Sequence, residues 1–134
     1  MNLKGHIFWS CLIMIILWIL IPDITITSIL VSIPFTIFPD IDHNFGSHRH
    51  FLPHSIILWI IVFIFNPSII TVMIVFGTGL HCLEDIKPRK MKGFALITYW
   101  KYKKLFKFKY SSTLWLLINF INSVIILGWW LALK

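Results

Sequence analysis

Hydrophobic and polar positions divide this chain into five apolar segments separated by short polar breaks. The breaks contain residues that interrupt helices, namely Pro22-Asp23, Pro39 and Asn66-Pro67. The apolar runs between them favour helices, so the pattern predicts an all-α fold with four to five short helices. The segments cover about residues 7–21, 24–38, 55–65, 68–80 and 114–133.

The composition indicates that lipid surrounds these helices. The chain has 134 residues, of which 58% are hydrophobic, and a mean hydropathy of +0.86. These values exclude a soluble globular domain and favour a single integral membrane domain over residues 1–134. The last segment can span a hydrocarbon core of about 30 Å at ~1.5 Å per residue. Segments two to four are short for spanning, so we expect short transmembrane or half-spanning helices beside an interfacial polar loop.

The first segment begins like a secretory signal, with Lys4 ahead of an apolar run. No small-x-small cleavage site follows, so we expect it to be retained as the first transmembrane helix. His6 stands at the start of this helix and is expected to be an interfacial histidine without a role in a site. The two cysteines, Cys11 and Cys82, form no disulfide framework.

Asn66-Pro67 leaves two topologies open for the third and fourth segments. They form either a partly inserted helical hairpin or one long helix kinked at Pro67, which a membrane tolerates. The hairpin would bring the polar residues before the third segment and those after the fourth to one membrane face. One continuous helix would put the bilayer between them, so a shared site favours the hairpin.

The distribution of positive charge predicts the orientation. Nine of the twelve Lys and Arg residues lie in a basic loop at residues 87–109, which the positive-inside rule places in the cytoplasm. With the hairpin, the N-terminus and the polar loop at 39–55 face the same side, and Lys134 lies on the far side. We therefore expect a protein integral to the cytoplasmic membrane of the cell, with its site facing the cytoplasm.

Titratable residues concentrate between Pro39 and Ser55. This stretch holds two of the five acidic residues and four of the six histidines. Such groups are costly near a bilayer, so their accumulation indicates a built site, most simply a metal site, rather than a polar loop. Ser55 could hydrogen-bond a ligand or cap the third helix. The candidate metal ligands are Asp40, Asp42, His48 and His54, and His43 and His50 are left open as ligands, supporting groups or neither.

A second polar group extends from His81 to Asp85. These two residues are four apart, so a helix presents both on one face, and they complete the candidate ligand set. Nitrogen and oxygen ligands without cysteine favour one or two Zn or Mn ions. Cys82 is a weaker ligand candidate than its neighbour His81. Glu84 points about 100° away from Asp85 on a helix, so it is the candidate supporting group or general base.

Arg49 and the basic loop suggest an anionic substrate. Arg49 is the candidate catalytic cation, because its fork of donors matches a phosphate or carboxylate oxygen. The stretch at 101–110 is expected to rest on the anionic leaflet, or to gather an anionic headgroup to the site. Nucleic-acid binding is the least favoured reading. The expected partners are thus membrane lipids, with an anionic lipid or phosphoester as substrate, whereas protein partners cannot be inferred.

Four of these elements, in this order, resemble the YdjM-like family of membrane-bound, metal-dependent hydrolases. They are Pro-Asp-Ile-Asp at 39–42, His-Arg at 48–49, His-Ser at 54–55 and His-x-x-x-Asp at 81–85, and Gly-Phe-Ala-Leu at 93–96 would follow as the next family element. The resemblance covers about residues 30–100 and implies a hydrolase without naming its substrate. Pro53 stands where the family often has Thr, and Glu84 where an apolar residue is frequent.

The sequence thus supports two functions. The first is a membrane-bound metal-dependent hydrolase of a phosphoester or lipid-linked anionic substrate, in which a metal-bound water attacks and Arg49 stabilises the developing charge. The alternative is a non-enzymatic metal-binding membrane subunit of a larger complex, or a metal carrier. A carrier should hold ligands inside its spanning segments, which are almost free of polar side chains here.

Overall fold

A computed structural model of the chain describes its apolar segments and short strands of its basic loop. The described residues are 3–39, 55–86, 94–95, 98–99, 103–104, 107–108 and 112–133. Their packed part is helical, which confirms the all-α prediction for the apolar segments. Its elements are α1 (Leu3–Leu20), α2 (Ile26–Ser32), a 3₁₀ helix (Ile33–Thr36), α3 (Ile57–Phe65), α4 (Ile69–Glu84) and α5 (Ser112–Ala132).

The described parts of the basic loop are four strands of two residues each. The strands β1 and β4 pair with each other, as do β2 and β3, and both pairs are antiparallel. The two pairs keep one common register, in which Phe94 lies opposite Phe108 and Tyr99 opposite Lys103. The strands are β1 (Phe94–Ala95), β2 (Thr98–Tyr99), β3 (Lys103–Lys104) and β4 (Lys107–Phe108).

The second apolar segment forms two helical pieces because of one proline. Thr25 caps α2, since its side chain accepts a hydrogen bond from the Ser28 backbone N–H at 3.1 Å. Pro34 lacks an N–H and cannot continue the α-helical ladder, so the last turn tightens into the 3₁₀ helix. The Ile37 N–H closes this turn on the Pro34 carbonyl at 3.1 Å.

The third and fourth segments are two separate helices. Helix α3 ends at Asn66, whose backbone leaves the helical region, and Pro67 follows. A capping box then starts α4: the Ser68 hydroxyl accepts from the Thr71 N–H, and the Thr71 hydroxyl accepts from the Ser68 N–H. Helix α4 continues four residues beyond the predicted segment, so it includes His81 and Glu84.

Helix α4 is the buried centre of the structure. Every residue from Thr71 to Cys82 is buried. Two glycines allow this close packing. A Cβ at Gly77 would lie 3.1 Å from Met14 Cε of α1 and 3.2 Å from the Ser32 carbonyl of α2. A Cβ at Gly79 would clash with Ser123 of α5, lying 2.5 Å from its Cβ. Small residues thus bring the backbones of α4 and its neighbours together, as in membrane helix pairs.

Contacts with α5 show that α3 and α4 form an antiparallel hairpin. The start of α3 lies at Asn119, whose side-chain oxygen accepts from the Ile56 N–H at 3.0 Å. The end of α3 lies further along α5, where Phe63 packs edge-on against Trp129 at 6.3 Å between ring centroids. The late part of α4 returns to Asn119, because Gly79 packs there. Both ends of the hairpin therefore meet at one end of the bundle.

This end, which we call the site end, also receives the other helices. The start of α1 reaches it through His6, which contacts Glu84 at the end of α4. The end of the 3₁₀ helix reaches it through Thr36, which contacts His81. The polar loop 40–54 is therefore attached to the site end by both of its described flanks. The basic loop also leaves from this end, since it follows the end of α4.

The outer surface of the bundle is apolar. Large hydrophobic side chains of α1, α3 and α5 remain exposed, among them Trp9, Ile19, Phe65 and Trp129 at 48%, 71%, 85% and 54%. A soluble monomer rarely exposes so continuous an apolar surface, so this one suits contact with lipid. One described helix is long and apolar enough to cross a membrane, over Thr113–Ala132.

The predicted number of full spans is not established by these helices. Three further apolar helices are shorter than a span: Gly5–Leu20, Ile26–Thr36 and Ile69–Glu84. At ~1.5 Å per residue, the 16 residues of α4 extend about 24 Å and the nine residues of α3 about 14 Å. What the structure shows is one candidate span surrounded by shorter apolar helices.

We predict opposite effects on stability for alanine at two glycines. Gly79→Ala should lower the free energy of unfolding by about 1–3 kcal/mol, because its Cβ forces α4 away from α5. Gly128→Ala is the matched control in α5, since a Cβ there meets nothing within 4 Å. It should stabilise the helix by up to about 1 kcal/mol. Thermal unfolding in detergent measures both.

The double variant Gly79→Ala with Ser123→Gly tests the cause. Removing the Ser123 side chain removes the atoms that the new Cβ would meet, so part of the lost stability should return. If the single variant Gly79→Ala melted like the native chain, the close approach of α4 to α5 would be wrong.

Candidate functional site

The last turn of α4 and the residue that follows it supply three imidazole or carboxylate side chains at the site end. His81 and Asp85 are four residues apart, and Glu84 is three residues after His81, so all three lie towards one side of the helix. All are withdrawn from solvent: the side chains of His81, Glu84 and Asp85 are exposed by 0%, 7% and 1%. Buried ionisable groups of this kind require partners, and neighbouring helices provide them.

The 3₁₀ helix orients His81. Thr36 is the last residue of that helix, so its carbonyl has no partner within the helix. This carbonyl lies 2.8 Å from His81 Nδ1. Because a carbonyl can only accept, Nδ1 carries the proton and donates, so in the neutral ring Nε2 is the lone-pair nitrogen. His81 Nε2 lies 3.9 Å from Asp85 Oδ2.

Helix α1 contributes a second imidazole, from His6. Its Nδ1 lies 2.7 Å from Glu84 Oε2, and its Nε2 lies 3.4 Å from Asp85 Oδ1. One turn further along α1, the Ser10 hydroxyl donates to Glu84 Oε1 at 3.1 Å. His6 is fully buried. The sequence predicted only an interfacial histidine here, whereas the structure packs His6 against Glu84 and Asp85.

The two imidazoles stack on each other and share the two carboxylates. The rings of His6 and His81 lie 4.6 Å apart between centroids, with an angle of 22° between their planes. Burial lowers the pKa of His6, but its interactions with Asp85 and Glu84 outweigh burial and raise the pKa from 6.5 to about 9. Burial, assisted by the negative charge of Asp85, raises the pKa of the Cys82 thiol. Cys82 is thus poorly suited to act as a thiolate.

The far flank of the polar loop is held by α5. The Asn119 side chain accepts from the Ile56 N–H at 3.0 Å and donates to the Trp115 carbonyl at 2.8 Å. Ser55 is buried, and its hydroxyl accepts from the Ile57 N–H at 3.2 Å, although the N-cap position of α3 is Ile56, which makes no side-chain cap hydrogen bond. Ser55, the residue that follows His54 in the chain, is thus packed at the site end.

The structure brings together part of the predicted site. His81, Glu84 and Asp85 are described and lie in one cluster with His6. Within the described ranges, no group of three or more His, Cys, Asp or Glu side chains is already arranged to hold a metal ion. The remaining candidates lie outside the described residues: the ligands Asp40, Asp42, His48 and His54, the cation Arg49, and the open candidates His43 and His50.

Comparison with known proteins returned no match. No family model, no curated protein and no solved structure matches this chain.

Sequence reasoning missed four residues at the site end, for three different reasons. His6 and Ser10 carried a usable signal, because polar residues four apart on an otherwise apolar helix share a face and turn inward in lipid. Thr36 acts through its backbone carbonyl, so its side chain carries no signal. Asn119 is one of two asparagines in α5, and only the packing of α3 distinguishes it from Asn122.

We predict that these two asparagines differ in their contribution to stability. Both donate from Nδ2 to the carbonyl four residues earlier at 2.8 Å, but only Asn119 also accepts from a buried N–H, that of Ile56. Asn119→Ala should lower the free energy of unfolding by about 1–3 kcal/mol, because it leaves that N–H without its acceptor. Asn122→Ala is the matched control and should change it by less than about 0.5 kcal/mol.

Thermal or denaturant unfolding in detergent measures this difference in stability. Limited proteolysis shows whether the start of α3 is the part of the chain that is destabilised. Equal losses for the two variants would contradict the role of Asn119 in anchoring the flank of the polar loop.

Proposed function

We propose that this protein is a membrane-bound, metal-dependent hydrolase that acts on a phosphoester or a lipid-linked anionic substrate. One observation carries the proposal: His81 and Asp85 are buried with a second imidazole and carboxylate at the end of an apolar bundle to which both flanks of the Asp/His-rich loop are attached. Imidazoles and carboxylates concentrated in an apolar protein are the donor set of a Zn or Mn site.

The chain length supports a shared site. Asp40 follows Thr36 by four residues, which span at most about 14 Å when fully extended, and the Thr36 carbonyl contacts His81 directly. His54 precedes Ser55, which is buried at the site end. Asp40 and His54 are therefore within reach of His81 and Asp85 along the chain, and the proposal adds Asp42 and His48 from the loop between them.

The geometry around His81 fits metal binding. The Thr36 carbonyl holds Nδ1 in its protonated form, so the lone pair of Nε2 faces the side of Asp85. A backbone carbonyl on the far nitrogen is the usual support for a metal-bound histidine, because it fixes both the tautomer and the ring orientation. A bound Zn or Mn ion would supply a water of lowered pKa at this position.

Charge supports an anionic substrate. Arg49 lies in the polar loop, where its guanidinium would bind a phosphate oxygen and stabilise charge that develops there. The basic loop starts from the same end of the bundle and would raise the local concentration of anions. Both oxygens of Glu84 are engaged, one by His6 and one by Ser10, which favours a supporting role for Glu84 over that of general base.

The resemblance to the YdjM-like hydrolases adds to this proposal. In the sequence order of that family, the Pro-Asp-Ile-Asp element follows the 3₁₀ helix and the His-x-x-x-Asp element closes α4. The apolar outer surface and the candidate span in α5 support an integral membrane protein. The charge of the basic loop supports a cytoplasmic position for the site end.

We predict that purified protein loaded with Zn or Mn hydrolyses phospholipids or simple phosphodiesters. His81→Ala should lose bound metal and activity together, because His81 is a ligand. Arg49→Lys should keep the metal but slow turnover by about 10- to 100-fold, since it keeps the charge and loses the bidentate fork. Thr78→Ala is the control in α4, because its buried hydroxyl bonds only the Ile74 carbonyl of its own helix in the described structure.

Metal content and turnover are measured on the same preparations. Metal-loaded protein that turns over none of the phosphoesters would favour the non-enzymatic metal-binding subunit. Full metal content in His81→Ala, with loss in His54→Ala, would show that the two clusters do not share a site.

We predict that the polar loop and the basic loop face the cytoplasm together. Ser47→Cys and Lys90→Cys, each in a chain with Cys11 and Cys82 replaced by Ser, should react with a membrane-impermeant thiol reagent from the same side. A cysteine in the turn at Asp23, at the other end of α1, is the matched control and should not react from that side. Labelling of residues 47 and 90 from opposite sides would contradict the shared site.

A further inference from the structure

Helix α5 carries two asparagines, and only one of them is fully used inside the bundle. Both donate from Nδ2 to the carbonyl four residues earlier at 2.8 Å. The side-chain oxygen of Asn119 also accepts from the buried Ile56 N–H at 3.0 Å. Asn122 instead lies exposed on the outer surface, and its side-chain oxygen accepts from no donor among the described residues. It therefore offers an acceptor to whatever surrounds the bundle.

The depth of Asn122 in the candidate span makes this exposure costly. The span covers Thr113–Ala132, and Asn122 lies near its centre, roughly 14 Å from either end at ~1.5 Å per residue. Lipid acyl chains hold no hydrogen-bond donor, so an amide oxygen that faces them loses the bonds it makes in water. A second helix that packs on this surface with a polar group at the same depth removes that cost.

Asn122 belongs to a regular stripe on the outer surface of α5. The residues of this stripe recur at alternating intervals of three and four, and all are exposed except the half-buried first one. That period of 3.5 residues keeps one face of a helix against a partner helix, and a single asparagine in such a face fixes the register and favours a pair. We call the stripe the α5 seam; its residues are Trp115, Ile118, Asn122, Ile125, Trp129 and Ala132.

A second copy of this chain fits the α5 seam better than an unrelated helix. All copies insert into the membrane with the same orientation, so each presents Asn122 at the same depth. A two-fold axis along the membrane normal then brings each seam residue against its equivalent, as in an isologous interface. A carboxamide holds both donors and an acceptor, so two Asn122 side chains complement each other.

From this arrangement we propose that two copies of the chain associate in the membrane as a parallel pair through the α5 seam, with their Asn122 side chains hydrogen-bonded to each other. The pair requires α5 to cross the bilayer, and it does not depend on the proposed hydrolase activity. Ser123 packs against Gly79 of α4 on a different side of α5, so the pair forms without displacing α4.

Energy transfer between copies of the full chain in phosphatidylcholine vesicles tests this pair. Chains labelled at the C-terminus with a donor or an acceptor dye are mixed at increasing lipid-to-protein ratios, which gives the dissociation constant as a mole fraction. Transfer in the native chain should saturate as expected for a dimer. Asn122→Leu should weaken association by about 3- to 30-fold, because it fills the seam but loses the hydrogen bonds between helices. Asn122→Gln keeps the carboxamide and should recover part of the affinity.

Ile118→Ala and Leu117→Ala are the matched variants for packing. The two residues are neighbours in α5 and are exposed by 41% and 39%, but only Ile118 lies on the seam. Ile118→Ala should weaken association by about 3-fold or more, whereas Leu117→Ala should leave it native. In detergent micelles that each hold one chain, Asn122→Leu should melt like the native chain, because the only bond of Asn122 among the described residues is within its own helix.

Disulfide cross-linking in vesicles locates the contact on α5. In chains with Cys11 and Cys82 replaced by Ser, Ile125→Cys should give cross-linked dimers on oxidation. Val124→Cys is the control, because Val124 is also exposed but lies off the seam.

Three results would overturn the proposal. The first is a native chain that shows no saturable energy transfer in vesicles. The second is equal association of Asn122→Leu and the native chain, which would mean that Asn122 does not hold the pair. The third is a purified chain that stays monomeric in vesicles while Ile125→Cys cross-links to a different protein in cell membranes, which would assign the α5 seam to another partner.

Discussion

The close approach of α4 to its neighbours is the constraint on which the rest of the structure depends. Gly77 allows contact with Met14 of α1 and the Ser32 carbonyl of α2, and Gly79 allows contact with Ser123 of α5. In lipid, helices associate through such packing because burial of apolar surface gives little driving force. These contacts fix the depth of α4 relative to the other helices, and therefore decide which residues meet its last turn.

Burial of two imidazoles and two carboxylates at that turn is costly unless the groups satisfy each other. The 3₁₀ helix and α1 supply such partners: Thr36 for His81, His6 for Glu84, and Ser10 for the second oxygen of Glu84. Loss of one partner would leave a buried charge without compensation. These groups thus tie the start of α1 to the end of α4.

The sequence predicted the helical segments, the polar residues at the end of α4 and the Asp/His-rich loop. Apolar runs and clustered charges are local patterns, so they can be recognised without the fold. It favoured the hairpin over the kinked helix only through the assumption of a shared site, whereas the contacts of Ile56 and Phe63 with α5 show the hairpin directly. It did not predict His6 as part of the site, because that role depends on which turn of α1 meets α4. Thr36 could not be predicted, since it contacts His81 through its backbone carbonyl and not through its side chain.

The position of the site end along α5 bears on the class of substrate. The start of α3 meets Asn119, seven residues after α5 begins, which corresponds to roughly 10 Å along the helix axis. If α5 crosses the bilayer, the start of α3 lies about that far below the entry point of α5. That depth is near the boundary between headgroups and acyl chains, where amphipathic elements insert about 5–10 Å. Under the proposed function, a site at this depth would reach the phosphoester of a lipid more readily than a substrate dissolved in water.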